Sequence, residues 1–153
     1  MYESILVPVD GSEAAERAAT EAFDVAREHG GTVHLLFVLD ESATALLLSS
    51  ESMGHRFDRL RGEAEEFLSE LAARADGVPV ETAVVRGMGV YRGIIDYAEN
   101  QGMDLIVMGS TGRHGPGGVL GSTSERVAAN TSLPVLLLSE PRKSGTDASD
   151  DSA

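Results

Sequence analysis

Six glycines fall within the thirteen positions from Gly109 to Gly121, and Ser122 and Thr123 follow at once. Glycine lets the backbone approach a ligand closely and adopt positive φ. Where such a loop runs into a helix, successive amides and the positive end of the helix dipole offer donors to phosphate oxygens. The two hydroxyls add to that set. The same composition suits a surface loop in which Ser122 is only a helix N-cap, and the residues alone leave both readings open. The second candidate is Asp10, in Asp10-Gly11-Ser12. Its carboxylate can meet a ribose or a metal, or it can bond local amides as a turn residue. Its place at the end of an apolar run that reads as a central strand, facing the expected cleft, favours the first.

Other chemistries are excluded or weak. A Walker-type loop needs Gly-Lys-Ser/Thr, and the one lysine is Lys143. Gly87-Met88-Gly89 continues as Val90-Tyr91-Arg92, lacks the third glycine of a dinucleotide fingerprint, and follows the third strand rather than the first. There is no cysteine, so disulfides, thiol catalysis and thiolate metal sites are ruled out. His29, His34 and His55 have no metal-ligand spacing. Glu63, Glu65 and Glu66 read as a solvated helix face, and no Gly-x-Ser-x-Gly elbow occurs. Arg113 and His114 are within reach of a phosphate or lie in a solvated loop. Arg126, one turn into the following helix, reads as a surface ion-pair partner.

These residues need elements to hold them. Five short apolar runs read as strands covered on both faces: 5–9, 32–39, 80–85, 104–108 and 133–138. Helices lie between them. One starts at Gly11 or Ser12 and runs to His29, ended by Gly30-Gly31. One spans about 51–76 with Gly62 as a weak point. One spans about 90–100, closed by Gly102, and one about 122–130. The alternation implies an α/β fold with a parallel sheet, whose ligands sit at the C-terminal strand ends. Residues 40–50 interrupt the pattern as a helical turn or a lid. Residues 142–153 read as a disordered acidic tail after a single domain over 1–141.

Composition narrows the setting. Twenty-five acidic residues face twelve basic ones, eleven of them arginine, for a net charge of −13. In molar salt the Debye length falls to roughly 3 Å and the self-repulsion is largely screened. The acidity and the near-absence of lysine read as adaptation to high intracellular salt. They argue against a nucleic-acid partner, which needs clustered basic residues. No apolar stretch approaches the ~20 residues of a membrane span, and the expected location is the cytoplasm.

The spacing Gly109-x-x-Gly112, then a spacer, then Gly121-Ser122 resembles the ATP-binding signature of the universal stress protein family. The resemblance extends to Ile5-Leu-Val-Pro-Val-Asp10-Gly-Ser12, Phe37-Val38-Leu39-Asp40, Val85-Arg86-Gly87, Ile94-Ile95-Asp96-Tyr97-Ala98, Asp104 to Gly109, Ser124-Glu125-Arg126-Val127 and Pro134 to Leu138. It covers about residues 2–139, in order.

The resemblance implies a five-stranded parallel sheet of order 3-2-1-4-5, helices on both faces, and a homodimer through the last strand, Pro134 to Leu138. It implies adenine nucleotide, ATP above all, at Pro8, Asp10, Val38, Met108, Gly109, Gly112, Arg113, Gly121, Ser122 and Thr123. Val38 would hold adenine through its backbone, and Asp10 would also face Mg²⁺. One spacing departs. Arg113 to Leu120 make eight residues where the family pattern usually has nine. Three functions follow as expectations: an ATP-binding stress-response module, a dimeric interaction protein without nucleotide, and, last, a slow ATPase.

Overall fold

The computed structural model describes residues 1–41, 50–110 and 121–139, with the backbone alone for 50–53. The segment 42–49, the glycine-loop interior 111–120 and the tail lie outside the described residues.

Five strands and four helices alternate: β1 (Ser4–Pro8), α1 (Glu13–His29), β2 (Thr32–Asp40), α2 (Ser50–Ala72), β3 (Val80–Gly87), α3 (Val90–Asn100), β4 (Leu105–Gly109), α4 (Ser122–Asn130) and β5 (Val135–Leu138). All pairings are parallel, in the order β3-β2-β1-β4-β5. The expected order is therefore observed.

Alternation along each strand feeds two cores. Ile5, Val7, Val33 and Leu35 face α1 and α2, where Ala18, Ala22, Phe23, Leu68 and Leu71 close over them. Leu6, Leu36, Val38, Ile106 and Met108 face α3 and α4 and meet Ile94, Ala98 and Val127. Burial on both faces is why these strands read as unbroken apolar runs.

Several details differ from the expectation, among them β5, which begins at Val135 and not at Leu133. β1 ends at Pro8, one residue early. β3 continues through Arg86 to Gly87, because β2 reaches Asp40 and pairs with it in register. Asp104 precedes β4; its carboxylate accepts the N–H groups of Glu3 at 3.1 Å and Ser4 at 3.0 Å, tying the start of β1 to β4. Gly62 does not interrupt α2, which instead ends at Ala72.

The two sheet edges are unlike. The carbonyl of Pro79 accepts from Val33 of β2 and that of Gly87 from Glu41 just past it, so that of Val84, an odd number of residues from each, faces outward. Arg61 of α2 donates to it at 3.1 Å. On the other edge the backbone of Val135 and Leu137 faces outward with no partner among the described residues, because Pro134 and Leu138 face β4. Leu136 there is 36% exposed.

Candidate functional site

The chain runs outward from β1 through β2 to β3 and then returns to β4 on the other side of β1. That reversal opens a crevice between the C-terminal ends of β1 and β4, where ligands of open parallel sheets bind. Asp10 leaves β1 at its rim. The Asp10 Oδ1 accepts the N–H of Ser12 at 3.0 Å, and Ser12 Oγ accepts that of Ala15 at 3.2 Å as the N-cap of α1. One carboxylate oxygen is thus engaged in the turn. Among the described residues no group of three Asp, Glu or His side chains is placed to hold a metal ion.

Gly109 ends β4 against α1. A Cβ on it would lie 2.7 Å from that of Ala14, so close helix packing alone requires glycine here. Ser110 follows, buried and fixed on both sides. Its N–H donates to the Leu138 carbonyl at 2.9 Å, and its own carbonyl accepts the N–H of Gly121 and, at 2.8 Å, the hydroxyl of Ser124. Ser110 and Gly121, the residues that flank 111–120, are therefore held together. Gly112, Arg113 and His114 lie in that stretch, outside the described residues.

Gly121, and not Ser122, is the N-cap of α4; its carbonyl accepts the N–H of Glu125 at 2.9 Å and it supplies no side-chain cap. The reading of Ser122 as a plain N-cap is overturned. Ser122 and Thr123 are the first helical residues, and their N–H groups, with that of Ser124, have no acceptor among the described residues. This terminus points its free amides toward the crevice end of β4.

Val38 meets the crevice through its backbone. The carbonyl of Leu36 accepts the N–H of Val9 at 2.9 Å. Two residues on, the amide and carbonyl of Val38 face the same side, past the end of β1. The Val38 side chain is buried under α3, where a Cβ on Gly93 would lie 2.7 Å from its Cγ1. Pro8 and Met108 are buried beneath the crevice, Met108 in the α3 core. Beyond Val38 the strand exits are fastened. Asp40 Oδ1 accepts the N–H of Gly89 at 3.1 Å, and Arg86 pairs with Glu41 at 3.0 Å.

Residues 1–139 match the family model for the universal stress protein family. The chain belongs to that family. Universal stress protein MJ0531 of Methanocaldococcus jannaschii is 34% identical, over 94% of this chain and 85% of its own. The solved structure of MJ0577 superposes with a TM-score of 0.84 at 29% identity, covering 94% of this chain and 99% of that one. A universal stress protein from Archaeoglobus fulgidus, solved in complex with dAMP, shares the fold with a TM-score of 0.65 at 24% identity, over 91% of this chain and 98% of that one.

In this universal stress protein the turn at Asp10, the backbone of Val38, Gly109 and the Gly121–Thr123 terminus all lie at the C-terminal side of the sheet around β1 and β4. Sequence reasoning missed Ser110 and Ser124. Ser124 carried a signal, because it stands three residues before Val127 on the face of α4 that must be buried. A cleft of about 710 Å³ lies elsewhere, on the outer side of the sheet between the end of β3 and α3. Among the described residues no helix is long and apolar enough to cross a membrane.

Proposed function

We propose that this chain binds an adenine nucleotide, taken as ATP, in the crevice between β1 and β4, as a dimeric stress-response module. The observation that carries this is the convergence of three unlike donor and acceptor groups at one switch point. They are the Asp10 carboxylate at the turn, the outward backbone of Val38, and the unpartnered first amides of α4. The backbone of Val38 supplies one donor and one acceptor in line, the pattern an adenine edge requires. The α4 terminus suits phosphate oxygens. Gly109, Gly112 and Arg113 would complete the cradle over ribose and phosphates.

Mg²⁺ fits as an ion carried largely by the nucleotide. It keeps several waters and takes one or two carboxylates beside substrate phosphates, so Asp10 alone would be enough on the protein side. The dAMP complex of the Archaeoglobus fulgidus protein lends support, as an instance of this fold holding an adenine nucleotide. The outward backbone of Val135 and Leu137 and the exposed Leu136 support pairing of two copies along Pro134 to Leu138. The acidic, lysine-poor composition supports a cytoplasm rich in salt.

One feature favours a second reading, a dimeric interaction protein without nucleotide: the eight-residue spacer from Arg113 to Leu120. The deciding measurement is a calorimetric titration of ATP with Mg²⁺ in molar potassium chloride. The nucleotide reading expects saturation near one ATP per chain. It also expects Gly121→Asp to abolish binding without unfolding the protein. Absence of heat from folded protein at millimolar ATP selects the second reading.

A further inference from the structure

The cleft between β3 and α3 plays no part in the nucleotide reading, yet its charges are set out for a ligand. Its volume of about 710 Å³ lies within the ~300–1,000 Å³ of small-molecule sites. Arg92 and Asp96 stand one helical turn apart on α3, exposed and on the wall of this cleft. Opposite charges at that spacing commonly interact across a helix surface. Here they do not, and neither has an ion-pair partner among the described residues. The Arg92 guanidinium lies instead 5.8 Å from the centre of the Tyr91 ring. The other cation, Arg86, is already matched: it pairs with Glu41 at 3.0 Å and lies 4.3 Å over the Phe57 ring. One cation and one anion without an ion-pair partner among the described residues therefore share the cleft.

We propose that this cleft binds a small zwitterion of the α-amino acid class, its carboxylate on Arg92 and its ammonium on Asp96. A simple anion is opposed by Asp96 and by the net charge of −13. A simple cation is opposed by Arg92. A zwitterion engages both groups and crosses the acidic field with no net charge. Its side chain runs past Val85 and Tyr97 toward Asn100 and Gln101 at the far end. The Tyr97 hydroxyl is already engaged by His34 Nδ1 at 3.1 Å. Selectivity there falls to the two side-chain amides, which suit a polar, uncharged side chain such as that of glutamine.

The test is a ¹H–¹⁵N NMR titration of the full chain with L-glutamine and with its analogues lacking the amino or the carboxyl group. Saturable shifts within residues 85–101 are expected. Both analogues, and the variants Arg92→Gln and Asp96→Asn, should bind about tenfold more weakly, since each removes one charge-assisted contact. The proposal is overturned by an absence of saturation at tens of millimolar glutamine. Unchanged binding in either variant, or equally tight binding of the analogue without an amino group, overturns it as well. Both substituted side chains are exposed, and the dispersion of the same spectra reports folding. ATP would shift signals around Asp10, Val38 and Ser122, so failure at one site is distinguishable from failure at the other.

Discussion

The hydroxyl of Ser124 donates to the carbonyl of Ser110 at 2.8 Å and lies 3.0 Å from that of Gly121, closing the base of the glycine-rich loop from inside helix α4. A buried side chain thereby holds together the two residues, Ser110 and Gly121, between which the glycine-rich segment lies. Ser124→Ala removes the donor and leaves the Ser110 carbonyl with the Gly121 amide alone. A loss of about 1 kcal/mol in unfolding free energy is expected. ATP affinity should fall by more than in Ser132→Ala, a change away from the loop. Denaturant unfolding and calorimetry on the two variants check both parts.

Gly93 is the point at which α3 approaches β2, and a methyl group there would stand 2.7 Å from Val38 Cγ1. Gly93→Ala should cost about 1–3 kcal/mol through overpacking. Because the displaced residue is Val38, nucleotide affinity should fall in the same variant. An unchanged urea midpoint would show that the helix moves aside freely.

Gly62 makes the opposite case. It is exposed, lies within α2, and an added Cβ meets nothing within 4 Å. Gly62→Ala should stabilise the protein by about 0.5–1 kcal/mol by raising helix propensity and narrowing the unfolded ensemble. Thermal unfolding reads this directly, and a lower melting temperature would count against the helix continuing through this residue.

Tyr97 links stability to alkaline pH. Burial, and then the Glu81 carboxylate, push its phenol above the ordinary value of 10.0. The folded chain then holds this proton more tightly than the unfolded chain, so the contribution is present below the ordinary phenol value and is lost as pH rises through it and beyond. Unfolding free energy should decline more steeply above about pH 10 in the parent than in Tyr97→Phe. Parallel slopes in the two proteins would contradict the assignment.

Much of this architecture was legible because a parallel sheet covered on both faces leaves a direct trace. Runs such as Ile5 to Val7 and Leu105 to Met108 can hardly be anything else between amphipathic helices. The bounds of α3 and α4 follow from glycines at Gly89, Gly102 and Gly121. What stayed hidden depends on three-dimensional neighbours. Arg86 reads as a loop residue until β2 is seen to extend beside it. Gly109 reads as a ligand-approach glycine, and its close packing against Ala14 is visible only in the fold. The carboxylate of Asp104 reads as part of a strand until it meets Glu3 and Ser4. For Asp10 the sequence leaves ribose or metal contact and local turn bonding both open, and the bond from the Ser12 amide shows that one carboxylate oxygen does the latter.

The unlike edges of the sheet bear on how far self-association can go. Arg61 occupies an outward carbonyl of β3, whereas β5 offers its outward backbone at Val135 and Leu137. Two copies that met β5 to β5 would consume the same patch on each and leave to solvent only the β3 edge, guarded at Val84. Growth by strand addition would then stop at two, since a fibre requires an adhesive surface left over after each step. In such a dimer Arg61 would act as a chain terminator for assembly, a role that no sequence motif would suggest.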